Sequence, residues 1–276
     1  MRIHLVTVVG SNAVLLPHML EHYAALGFDS IQINVHLETY DDPLLDRVQA
    51  ISREFGAEIA SIFIGKWVQT VNPFLYEQTK RHNLADWFVL ADVDELQIYT
   101  EDIHTLIARV EKDGFDYVEG CIVDRIARDG GFPDVVTSRS IWEQFPLAAM
   151  ITFPILKANI LKVVAAKGFV YLAPGQHAAL NGKGCPREQA YIPVHHFKWW
   201  SGLVERLKAR VAFYRSHDEP IWQESQRFLD YYEERQGRFD LSDPGLFVAE
   251  STTEYPLWPE VKRQVLAVAK ERGLRE

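Results

Sequence analysis

The sequence predicts an α/β protein: a mostly parallel, Rossmann-like sheet flanked by helices, followed by a helical C-terminal extension. Three observations predict it. Short apolar runs alternate with segments of helical periodicity over the first hundred residues, the pattern of strand–helix–strand units with right-handed crossovers. One of those runs, Trp87-Phe88-Val89-Leu90-Ala91, is apolar throughout, as a strand buried on both faces must be. A length of 276 residues, 47% hydrophobic and 24% charged, suffices for one large α/β domain with an elaborated C-terminal part.

Residues 3–9 form a β-branched apolar strand that Gly10-Ser11-Asn12 breaks. Asn12 is placed to cap the next helix, in which Leu16, Met19, Leu20 and Tyr23 recur at helical spacing and which Gly27 closes. Residues 30–37 make a second strand. Leu44, Val48, Ile51 and Phe55 mark a second helix ended by Gly56, and residues 58–64 a third strand. A helix over 74–84 feeds the apolar strand at 87–91. Beyond it, Ile103, Leu106, Ile107 and Val110 define a helix stopped at Asp113-Gly114, and 115–126 is a long strand. The pattern from 141 to 172 is mixed. Leu203, Leu207, Val211 and Tyr214 set a helix after residues 192–200, and the remaining third is helical and rich in aromatics and charge. No internal repeat or low-complexity linker interrupts the chain. The expected divisions are a domain over 1–200, with halves 1–100 and 101–200, and a helical extension over 201–276.

The strand at 87–91 runs straight into Asp92-Val93-Asp94-Glu95. In open α/β sheets ligands bind beyond the carboxyl ends of the strands, so these carboxylates stand where a site is expected. Asp92 and Asp94 are two residues apart and point the same way in extended chain, within reach of one cation. Carboxylates that close repel unless a cation or solvent separates them. Hard oxygen ligands suit Mg²⁺ or Mn²⁺, which keep positions free for substrate phosphates. A polar strand exit is the alternative role for the same residues.

Composition narrows the field. A net charge of −9 disfavours a nucleic-acid binder, which carries a basic face, yet allows an anionic donor bridged by a cation. No Gly-x-Gly-x-x-Gly follows the first strand and no phosphate-loop Gly-Lys-Ser/Thr occurs, so a dinucleotide enzyme or a phosphate-loop ATPase is disfavoured. The first ten residues read as a strand without signal-peptide layout, and no apolar run approaches the roughly 20 residues of a membrane span. Cys121 and Cys185 form no metal pattern, so the expectation is a cytoplasmic protein with reduced thiols.

Further groups carry chemistry. His195-His196, beside Lys198, Trp199 and Trp200, and His177, after Pro174-Gly175, are imidazoles able to complete a cation's shell, which tilts the metal towards Mn²⁺. Lys157, Lys162, Lys167, Arg81 and Arg125 are cations available to a diphosphate, although any single one of them more often serves a solvated face. Trp142, Trp199 and Trp200 offer stacking surfaces for a sugar or base, although by residue type each belongs more often in a core or interface.

Four stretches carry a resemblance: His22-Tyr23-Ala24-Ala25-Leu26-Gly27, Trp87 through Asp92-Val93-Asp94-Glu95, Gly175-Gln176-His177, and His196-Phe197. They are similar to elements of the GT-A glycosyltransferases of the family-2 kind, in the Asp-x-Asp-Glu branch. The resemblance covers the first hundred residues and continues loosely to about Val211. It implies a GT-A type nucleotide-binding sheet. It also implies a metal-dependent, hexosyltransferase-type enzyme that moves a sugar from a nucleotide-diphosphate donor to an acceptor hydroxyl. The acceptor is then a carbohydrate or glycoconjugate, and transfer inverts the sugar during polysaccharide or glycoconjugate synthesis.

On that resemblance Asp94 is the main ligand of Mn²⁺ or Mg²⁺, Asp92 lies on the metal or the donor ribose, and His196 and His177 are the further ligands. Donor-binding candidates are Val9, Asn12, Asn34, Arg81, Asp92 and Lys162; Glu95 and Trp199 are acceptor candidates. A carboxylate deprotonates the acceptor. Asp124 is the expected base, with Asp129 and Glu143 as rivals and a structural pairing of Asp124 as the alternative. Two departures matter. Relatives carry Asn-Glu after the first strand, where this chain has Gly10-Ser11-Asn12-Ala13. Relatives also carry an Asp after the second strand to read uracil, where this chain has Asn34-Val35-His36-Leu37-Glu38, leaving UDP, GDP and other donors open. A nucleotidyltransferase, which normally shows a Gly-rich basic first loop, and a non-catalytic carbohydrate-binding scaffold are the alternatives.

Overall fold

The computed structural model describes residues 1–217, 220–251 and 253–271. Two compact units account for its contacts: 1–121 with 161–194, and 122–160 with 195 onward.

The first unit opens with β1 (Ile3–Gly10), α1 (Leu16–Ala24), β2 (Ser30–Leu37), α2 (Leu44–Phe55), β3 (Glu58–Ile64), α3 (Val71–Lys80) and β4 (Trp87–Leu90). These strands pair parallel in the order β3-β2-β1-β4. The chain therefore leaves β1 on one side for β2 and β3, then crosses to the other side for β4. Such a reversal opens a crevice at the carboxyl ends of β1 and β4, where Gly10 and Asp92 emerge. After β4 come β5 (Glu95–Gln97), α4 (Ile103–Lys112) and β6 (Tyr117–Ile126), then α5 (Ile141–Gln144), β7 (Leu147–Ala149) and β8 (Leu161–Lys167). A 3-10 turn (Pro174–Gln176) and β9 (Tyr191–His196) follow. β8 pairs antiparallel with β4 and with the first half of β6, so the acidic end of β4 has β1 on one side and the start of β8 on the other.

The α/β expectation holds in the elements themselves. β4 is buried along its whole length, and α1 turns Leu16, Met19, Leu20 and Tyr23 inward. Gly56, at φ 65°, ends α2 in the left-handed conformation that a glycine adopts without strain. Some boundaries differ from the sequence reading: α3 ends at Lys80, not at 84, and β6 begins at Tyr117, not at 115. α3 starts at Val71, not at 74, because Val71 and Leu75 already bury the same stripe and Pro73 is tolerated in a first turn. Asn12 makes a local turn, accepting from the Val14 amide at 3.2 Å, and α1 begins at Leu16 without a side-chain cap.

The second unit contains α6 (Leu203–Ser216), α7 (Trp222–Glu234), β10 (Ala249–Glu250) and α8 (Trp258–Glu271). β10 pairs antiparallel with β7, and β7 with the end of β6. Segment 201–271 shares its core with earlier residues. Leu203, Leu207, Phe228 and Phe239 pack in one cluster with Ile126, Leu147, Ile151 and Trp199. Cys121 and Cys185 are buried and form no disulfide among the described residues, and among those residues no helix is long and apolar enough to cross a membrane.

Gly120 in β6 has no room for a side chain. A Cβ there would lie 2.1 Å from the backbone oxygen of Ile192 in β9. Gly120→Ala must force the two strands apart, and the expected loss is about 3 kcal/mol in a urea titration. Wild-type stability in that variant would contradict the close approach.

Candidate functional site

The carboxyl end of β4 delivers Asp92 into a ring of donors. Its Oδ1 lies 3.2 Å from the Tyr76 hydroxyl, 3.5 Å from Asn72 Nδ2 and 3.4 Å from Gln176 Nε2. Its Oδ2 lies 3.3 Å from Lys162 Nζ. Asn72 and Tyr76 stand one turn apart at the start of α3, so a single helical face presents both. Lys162, near the start of β8, also meets Glu95 Oε1 at 2.8 Å and the Gly175 carbonyl at 2.9 Å. Lys162 and Glu95 side chains are each 3% exposed, whereas Asp92 keeps 27% and can still take a ligand.

The electrostatics follow from this packing. Burial alone would push the Lys162 ammonium down, but the Asp92 and Glu95 carboxylates outweigh it and hold Lys162 above the ordinary lysine range. Burial, reinforced by Asp92, holds the Tyr76 phenol well above its usual value, so Tyr76 is a neutral donor.

The segment after Asp92 is fastened from behind by α1. Tyr23 donates to the Glu95 carbonyl at 3.1 Å and accepts from the Gln97 amide at 3.0 Å, while His22 Nε2 lies 2.9 Å from the Gln97 carbonyl. Gln97 Nε2 donates to Leu90 O at 2.8 Å. The His22-Tyr23 element is thus the anchor of the acidic segment. Its motif was visible in the sequence; its role was not.

The other site candidates divide sharply. Val9 is fully buried in β1. Asn34 is fully buried in β2, where Nδ2 donates to Thr7 O at 3.3 Å and Oδ1 accepts from Ser61 and Thr79 hydroxyls at 2.5 and 2.9 Å; it ties the sheet to α3. Asn12 lies in the loop at the mouth of the β1–β4 crevice. Arg81 follows α3 at its far end, nine residues from Asn72, which at ~1.5 Å per residue is roughly 14 Å along the helix. The structure does not bring Arg81 to Asp92. Lys167 pairs with Glu111 and Asp116 at 3.6 and 3.4 Å.

Asp124, the expected base, lies in the second unit in the surroundings of its structural alternative. It is fully buried and accepts from the amides of Ile151 and Thr152 at 2.8 and 2.7 Å, the Thr152 hydroxyl at 2.8 Å and Trp199 Nε1 at 2.8 Å. His196 Nδ1 lies 3.7 Å from its Oδ1. Burial would raise its pKa, but His196, Lys198 and the Thr152 amide together hold it below the usual carboxylate range. A carboxylate so solvated by the fold takes a proton poorly. Trp199, expected on the acceptor, is fully buried in the aromatic core, between Phe228 and Phe239 at 5.0 Å each. Arg125 is buried too, donating to Phe145 O and Ser251 O beneath Trp142.

The expected metal ligands are not assembled into one cage. Asp94 is half-buried on the segment of Asp92. His177 Nδ1 lies 2.7 Å from Leu161 O, and His196 faces Asp124. Among the described residues no three His, Cys, Asp or Glu side chains converge as a cation site. These residues fit a cation that arrives with substrate phosphates and takes one carboxylate from the protein, as Mg²⁺ often does, not one caged by protein alone.

Fold and site together define an α/β protein with carboxylates at the topological switch point of its sheet. No protein-family model and no curated protein matches the chain. Among solved structures, S. aureus TarS aligns over 88% of this chain and 44% of its own, at 8% identity and a TM-score of 0.39. The chain thus spans less than half the length of that protein. TarS 1-349 in complex with UDP aligns over 88% of this chain and 74% of its own, at 11% identity and a TM-score of 0.40. HddC from Yersinia pseudotuberculosis aligns over 49% and 69%, at 13% identity and a TM-score of 0.31. These similarities are of outline alone, and the functional reading rests on the chain's own residues.

Proposed function

We propose that the chain is a glycosyltransferase that takes a sugar from a nucleoside-diphosphate donor bound at the carboxyl ends of β1 and β4. One observation carries the reading: a partly open Asp92, oriented by Asn72, Tyr76, Gln176 and Lys162, at the switch point of a parallel sheet. An ionised carboxylate held in this way is an acceptor for the two hydroxyls of a ribose. Asp94, two residues on, is the ligand for a Mn²⁺ or Mg²⁺ that comes with the diphosphate. Such a cation acts as a Lewis acid on the leaving group. Glu95 serves the site through Lys162 and not as an acceptor contact, since its side chain is buried. The acceptor is a hydroxyl of a carbohydrate or glycoconjugate, which attacks the donor's anomeric carbon with inversion and expels the nucleoside diphosphate, while a carboxylate other than Asp124 takes its proton.

The test is a panel of UDP- and GDP-sugars, scored for nucleoside diphosphate release with and without saccharide acceptors. One donor is expected to release its diphosphate, faster when an acceptor is present. Pyrophosphate release from a nucleoside triphosphate and sugar phosphate would instead establish the nucleotidyltransferase. Saccharide binding without turnover of any donor would leave a scaffold.

A further inference from the structure

We propose that Lys162 is the built-in counter-cation of the β4 end and that it bars a divalent cation from Asp92. The inference deepens the transferase reading, confining any metal to Asp94 and leaving Asp92 for the ribose. The three hydrogens of the ammonium meet three acceptors: Asp92 Oδ2 at 3.3 Å, Glu95 Oε1 at 2.8 Å and the Gly175 carbonyl at 2.9 Å. The carboxylate oxygens that remain also face donors. Asp92 Oδ1 has Tyr76, Asn72 and Gln176, and Glu95 Oε2 accepts from the Asp92 amide at 3.3 Å.

A divalent cation needs lone pairs at about 2.0–2.6 Å; those of Asp92 Oδ1 face three donors, and the one left on Oδ2 lies beside the Lys162 ammonium. It would also sit within a few ångströms of the ammonium, where like charges in a poorly hydrated site repel strongly. Lys162 has no easy retreat, because its side chain is 3% exposed and its stem leaves a strand paired to both β4 and β6. Moving it would release the Gly175 carbonyl as well. That carbonyl belongs to the turn that carries Gln176 to Asp92, in which Gly175 and Gln176 have φ of 70° and 53°. Lys162 is therefore a positioning residue: it neutralises Asp92 and Glu95 and holds the wall of the site in the shape that orients Asp92.

The experiment is Mn²⁺ titration without nucleotide, followed by electron paramagnetic resonance, on wild type, Asp92→Asn, Lys162→Met and Lys162→Met/Asp92→Asn. Wild type is expected to show no micromolar Mn²⁺ uptake that depends on Asp92. Lys162→Met is expected to gain about tenfold or more in Mn²⁺ affinity, and the double variant to lose that gain. Micromolar uptake by wild type that Asp92→Asn abolishes, or an unchanged affinity in Lys162→Met, overturns the proposal. Should Lys162→Met not fold, the pair wild type and Asp92→Asn still decides. A failure of the donor panel above leaves this outcome untouched, so the two readings fail separately.

Discussion

Asp124→Ala is expected to lose about 3–5 kcal/mol of stability, because it strips several buried donors of one shared acceptor. The Ile151 and Thr152 amides, the Thr152 hydroxyl and Trp199 Nε1 all turn to this carboxylate, which is fully buried. Urea denaturation followed by tryptophan fluorescence measures the loss. Asp124→Asn keeps one acceptor oxygen and should fall between the two. The pH dependence has a definite sign. A carboxyl depressed in the fold contributes stability above its unfolded value of about 3.9, and that share is lost as pH falls through the lower folded value. Wild type should therefore lose stability below pH ~4 more steeply than Asp124→Asn. A variant with full stability and no transfer activity would return Asp124 to the role of base.

The second large effect is at the site itself. Glu95→Gln and Lys162→Met each break a buried ion pair of 2.8 Å by removing one partner, and each should cost about 3–5 kcal/mol. The double variant should cost clearly less than the sum, because neither charge is then left buried without its partner. A thermodynamic cycle of the four proteins measures the coupling. Additive losses would mean that Glu95 and Lys162 are merely adjacent.

The fold was legible because its signals are local. An apolar run at 87–91 and the 3.6-residue spacing of Leu44, Val48 and Ile51 need only neighbours in sequence. Asp92 was legible for the same reason, as the end of an obvious strand. Its surroundings were not. Lys162 and Gln176 reach it across 70 and 84 residues, and Tyr76 looked like one more residue of a helix stripe. The burial of Asp124 was not legible, because a polar residue near a strand end reads as an exit to solvent, while the groups that bury it come from 151, 152 and 199. The charge of Arg81 was visible in the sequence, and its position at the far end of α3 was not.

Calorimetric titration of UDP and GDP with and without Mn²⁺ tests for a nucleoside-diphosphate site at Asp92 and Asp94. The proteins are wild type, Asp92→Asn, Asp94→Ala and, as a control, Arg81→Ala. One diphosphate is predicted to bind wild type and Arg81→Ala alike, more tightly with Mn²⁺. Asp94→Ala should lose the metal-dependent part, and Asp92→Asn should weaken binding with or without the metal. Binding of neither nucleotide to folded wild-type protein in the presence of Mn²⁺ would contradict such a site.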